Sequence, residues 1–198
     1  MHIFTLAEKK ALSFAKNKIK AVLTLYGEGD SGKTATLRYL YKLLSGQAPI
    51  NQNPKDFRAR LDYCGVRILI STTGDDKKDV EDNWHWYLGL YKATANRTRT
   101  LGDANISDVD KVIIVGPTRE SGKNDGVILN DGFIQELKSS LSVIQYIHKT
   151  KIEASHAPDA IPEEEQFILG NLNRGQAEDA KNTAEYIKAC IDEIIRFI

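Results

Sequence analysis

Apolar positions along the chain follow two rhythms. In the first, nearly every position of a short run is apolar or β-branched. "AVLTLYG" (Ala21 to Gly27), "VRILIS" (Val66 to Ser71) and "KVIIVG" (Lys111 to Gly116) are of this kind and predict buried strands, and "SVIQYIHK" predicts a last one. In "FRARLDY", Phe57, Ala59 and Leu61 alternate with Arg58 and Arg60, which predicts a half-exposed strand at a sheet edge. The short turn over Asp62 to Gly65 makes that strand antiparallel to "VRILIS". The second rhythm is helical. It predicts helices from about Leu6 to Ile19, from Thr34 to a stop at Gly46, from Lys77 to Ala95, from Gly132 to Ser140, over a short piece Pro162 to Leu169, and from Gln176 to Ile198.

Strands alternating with helices predict a layered α/β domain with a mostly parallel sheet and one antiparallel edge strand. No internal repeat or linker composition interrupts the pattern, so residues 1–198 read as one domain. The aromatic residues Trp84, Trp86, Tyr87 and Tyr91 fall on one predicted helix and read as core. Arg97 and Arg99, in the polar stretch after it, read as solvated charges.

Composition narrows the picture. The 198 residues are 41% hydrophobic and 27% charged, ordinary values for a folded domain. Lys plus Arg balance Asp plus Glu, so net charge gives no push towards nucleic acid or an anionic membrane. No apolar run approaches the ~20 residues that span a bilayer, and the N-terminus lacks the apolar core of a secretory signal. Cys64 and Cys190 lie far apart and are expected to be free, buried thiols, and the four histidines show no ligand spacing. These features lead to the expectation of a cytoplasmic protein with no membrane partner.

The chemistry concentrates in "GEGDSGKT": Gly27, Glu28, Gly29, Asp30, Ser31, Gly32, Lys33 and Thr34. The segment satisfies G-x-x-x-x-G-K-[ST] without a mismatch and lies between a predicted strand and a predicted helix, the context the motif requires. Glycines let the backbone turn its N–H groups inward, and a helix N-terminus adds unpaired donors and partial positive charge. Glu28 and Asp30 are unusual neighbours for a polyphosphate, tolerable where their side chains point outward.

Through this segment the chain resembles the P-loop NTPase superfamily. The resemblance is specific over Gly27 to Thr34, looser from Ala21 to Lys149, and does not cover the N-terminal helix or the C-terminal third. It implies a three-layer P-loop NTPase fold, with a mostly parallel five-stranded sheet, an antiparallel edge strand and extra N- and C-terminal helices. It also implies a nucleoside triphosphate ligand with Mg²⁺. Lys33 would then reach the β- and γ-phosphates and the Thr34 hydroxyl would hold the metal.

Such proteins pair the loop with an acid at a strand end. "VRILIS" ends in Ser71 instead, and the first acids follow in "TTGDD". Asp75 is therefore the candidate metal ligand, its competing reading being a helix N-cap. "KVIIVG" ends without an acid. Thr118 and Arg119, just beyond it, resemble the γ-phosphate sensor of AAA+ and STAND-type ATPases. Lys123 in "ESGK" has the wrong spacing for a second loop. No Asn-Lys-x-Asp follows that strand, so ATP is favoured over GTP.

The expectation is an ATP-binding NTPase with Mg²⁺-dependent hydrolysis, using Lys33, Asp75 and Arg119. A small-molecule or nucleotide kinase and a non-catalytic nucleotide-binding module are the alternatives, the latter kept open by Glu28, Asp30 and the missing strand-end acid. The extra C-terminal helices leave room for a protein partner.

Overall fold

The computed structural model describes residues 4–27, 31–47, 56–74, 77–91, 98–119, 133–149, 166–169 and 177–198. Among the described residues, seven strands form one sheet: β1 (Ile19–Gly27), β2 (Asp56–Tyr63), β3 (Val66–Ser71), β4 (Thr98–Leu101), β5 (Val112–Arg119), β6 (Val143–Lys149) and β7 (Gln166–Leu169). Their order is β4-β2-β3-β5-β1-β6-β7. All neighbouring pairs are parallel except the β2–β3 hairpin.

The five strands legible in the sequence are present, and two short ones join them. β4 pairs with the outer side of β2, so β2 is not the outermost strand. β7 occupies part of the stretch where the periodicity predicts a helical piece. Both are four residues long. Pairing with a preformed neighbour stabilises them, and so short a segment carries too few positions to show a period.

Among the described residues, helices α1 (Leu6–Ala15), α2 (Lys33–Ser45), α3 (Lys77–Tyr87) and α4 (Ala177–Phe197) flank the sheet. A further helical stretch covers residues 133–137 and continues as a 3₁₀ turn over Lys138–Ser140. Side chains alternate along each strand and build a core on each face. On one face Leu23, Leu25, Ile68, Ile70, Ile113 and Val115 pack with Leu37 and Leu40 of α2 and Ile187 and Ile191 of α4. On the other, Val22, Tyr26, Leu69 and Ile114 pack with Leu12 of α1, Trp84 and Tyr87 of α3, and Phe133 and Leu137. The result is a three-layer α/β arrangement. β1, covered on both faces, is buried at every position but one, which explains its unbroken apolar run.

α1 meets the core through Glu8, Leu12 and Ala15, whereas Leu6 and Phe14 are exposed. Its start is fixed by a capping box in which Thr5 Oγ1 accepts from Glu8 N at 3.2 Å and Thr5 N donates to Glu8 Oε2 at 2.6 Å. The aromatics of α3 read as core do lie there: Trp84, Trp86 and Tyr87 are buried. The β2–β3 hairpin turns through Cys64 and Gly65, both at positive φ (49° and 78°), the combination a two-residue type I′ turn requires. Cys64 is consequently exposed rather than buried as expected. Cys190 is half-buried, and neither cysteine is in a disulfide.

Candidate functional site

The helical elements that follow β1 and β5 lie on opposite faces: α2 belongs to one core, residues 133–140 to the other. Adjacent parallel strands whose connections part in this way open a crevice at their C-terminal ends, where open α/β sheets take ligands. The Gly27–Thr34 segment begins at the end of β1, beside that crevice.

Gly27 has φ 150° and Gly32 φ 89°, the second being the N-cap of α2. Gly32 is left-handed and carries no side chain, so no side-chain cap closes the first turn of α2. Its amides are the donors an anion would meet. Lys33, though charged, is buried at 6% exposure. Its ammonium folds back across the loop, donating to the Gly27 carbonyl at 2.8 Å and to Ser31 Oγ at 3.4 Å. Ser31 is fully buried and Thr34 half-buried. Glu28, Gly29 and Asp30 lie outside the described residues.

The register between β1 and β5 sets Arg119 directly opposite Gly27 and Thr118 opposite Tyr26. β5 thus runs three residues past the Gly116 end expected from its apolar run and delivers the Arg119 backbone to the loop. Pro117 is tolerated inside this strand because β3 has already ended: β3–β5 pairing stops at Ile70 opposite Val115. Beyond that point β5 pairs with β1 alone, and a notch opens on its β3 side.

Gly74 enters the notch. A Cβ on Gly74 would overlap the Pro117 carbonyl oxygen and lie 3.0 Å from the carbonyl carbon, so only glycine fits there. Asp75, the candidate metal ligand, lies outside the described residues. The chain leading to it is fixed, because Gly74 sits against the strand that carries Arg119. Lys123 and Arg97 also lie outside the described residues, and Arg99 is exposed on β4.

Sequence reasoning missed a buried polar cluster at this end of the sheet. Asn83 of α3 is 5% exposed, and its Oδ1 accepts from Ser71 Oγ (2.8 Å), Thr73 Oγ1 (2.9 Å) and Arg58 Nε (2.8 Å). Asn83 Nδ2 donates to the Thr73 carbonyl at 2.8 Å. Ser71 therefore stands where a strand-end acid was sought, and its hydroxyl is engaged. Thr24, Asn83, Tyr87, Gly116 and Pro117 border a cavity of about 20 Å³ between the cluster and the ends of β1 and β5. Burial pushes the Tyr87 phenol well up, Arg58's charge acting against that shift, so the hydroxyl stays protonated and able to donate. The signal for this cluster was the polar run "STT" closing an otherwise apolar strand.

No described helix is long and apolar enough to cross a membrane. Comparison of the chain with family models, with curated proteins and with solved structures returns no match.

Proposed function

We propose that the chain is a P-loop NTPase that binds ATP with Mg²⁺ and hydrolyses it. The observation that carries this reading is the placement of Lys33. A buried ammonium spans a glycine loop at the end of the central strand, at the crevice between β1 and β5 and at the uncapped start of α2. The Gly27 carbonyl and the Ser31 hydroxyl are among the groups that hold the ammonium in the loop, and an incoming phosphate would be a stronger acceptor than either of these neutral oxygens.

In this reading the amides at the start of α2 and Lys33 hold the phosphates. Thr34 and Asp75 are the candidate metal ligands. Arg119 is the candidate sensor of the γ-phosphate, its strand position being opposite Gly27. ATP supplies the transferable phosphoryl group and Mg²⁺ neutralises charge on it. Titration of the full chain with ATP and Mg²⁺, with phosphate release followed in parallel, tests the reading. Binding with steady release supports it; no binding in either the presence or absence of Mg²⁺ removes it.

Ser71 favours a second reading. With a locked serine where a metal-binding acid was expected, binding without turnover is the outcome that would identify a nucleotide-binding module. Turnover only in the presence of an added acceptor would identify a kinase.

A further inference from the structure

Arg58 is 1% exposed. Its Nε is bonded to Asn83, while Nη1 is buried without a hydrogen-bond partner. The guanidinium carbon lies 4.8 Å from the centre of the Tyr91 ring. Among the described residues no carboxylate forms an ion pair with it. A buried charge is ordinarily paired.

The surroundings do not make up the deficit. Asn83 Oδ1 has two lone pairs and faces three donors. The Tyr87 phenol, protonated, borders the same cavity as Asn83. The cluster thus leaves Arg58 Nη1 without an acceptor and carries a full positive charge. Its position is also telling: Arg58 pairs with Ser71 across the hairpin, at the C-terminal end of β3. That is the same end of the sheet as Gly27 and Arg119, and Asn83 borders the cavity reaching β1 and β5.

We propose that Arg58 and the Asn83 cluster form an oxyanion site, separate from the Lys33 loop. It takes a phosphoryl or carboxylate oxygen of a second ligand, with Arg58 Nη1 as the principal donor. The half-buried Tyr91 ring lies over the guanidinium and is a group that an incoming ligand would have to displace. Strands stand ~4.8 Å apart, so Arg58 on β2 lies roughly 14 Å along the sheet from β1, far enough for a second ligand beside a nucleotide. The inference goes beyond the nucleotide reading and does not rest on it.

The test uses inorganic phosphate as probe and thermal denaturation of the full chain as readout, with and without saturating ADP and Mg²⁺. Phosphate at ten times its dissociation constant should raise the wild-type midpoint by about 3–6 °C in both conditions. Asn83→Asp, nearly isosteric, places a carboxylate on Arg58. It should abolish the phosphate shift, whatever the loss of the Nδ2 bond to the Thr73 carbonyl does to the phosphate-free midpoint. Arg58→Gln should also abolish the shift. Lys33→Ala should keep it. The proposal is overturned if phosphate does nothing to wild type, if Asn83→Asp responds like wild type, or if Lys33→Ala loses the response, since phosphate would then be occupying the loop. Failure of the nucleotide reading shows separately, as equal ATP affinity in wild type and Lys33→Ala, and leaves the phosphate result standing.

Discussion

Two arginines on neighbouring strands, on the same face of the sheet, have opposite surroundings. Arg67, at the start of β3, is 6% exposed; its Nε bonds Asp62 at 2.9 Å and its Nη1 donates to the Asn105 and Ala104 carbonyls. Arg58, beside the end of β3, is more deeply buried and has Asn83 and the Tyr91 ring instead. The first arrangement closes its end of the sheet by satisfying every group it buries. The second leaves charge over. Proteins concentrate such unbalanced groups where a ligand completes them, and here the imbalance lies at the end of the sheet that carries the glycine loop.

The comparison can be attacked from either side. The largest effect is expected at the loop: Lys33→Ala should weaken ATP binding thirtyfold or more, about 2–5 kcal/mol, with the circular dichroism spectrum unchanged. Equal affinity by calorimetry would remove the nucleotide site. Next comes the closed end. Arg67→Met strips donors from two carbonyls and should cost about 2–3 kcal/mol in urea unfolding, with no change in nucleotide affinity. If affinity falls as much as stability does, the two ends are not separable.

A smaller effect is expected at β5. Arg119→Ala should slow turnover about tenfold or more while ADP affinity changes less than about twofold. A large loss of ADP affinity would contradict a γ-phosphate role. The smallest concerns Asp62. The hydrogen bond from Arg67 holds its carboxyl below the ordinary value of 3.8, so its contribution is present above that value and is lost as pH falls through the depressed one. Asp62 is 60% exposed, so Asp62→Asn should cost under about 1 kcal/mol at pH 7. The gap between variant and wild type should close as pH falls through the depressed value, and a gap that widens with acid would refute the pairing.

The same comparison shows what the sequence could reveal. β1, β3 and β5 were legible because both faces of each are covered, and the hairpin because Cys64 and Gly65 leave room for nothing else. Arg58 was misread. Alternation in "FRARL" signals a strand with unlike faces, but it does not say that α3 covers the polar face. Asn83 carries no sequence signal at all, being one polar residue among several on a helix. The loop from Gly27 to Thr34 was legible as a motif, while its crevice follows from which face each helix takes, a property of the whole sheet.

Gly74 couples the turn after β3 to β5. Its backbone rests on the Pro117 backbone with no side chain between them. Side chains that separate two segments can change rotamer and absorb a displacement; bare main chain cannot. Movement of β5 at Pro117 is therefore transmitted to the turn leaving β3, and the two flanks of the notch shift together or not at all.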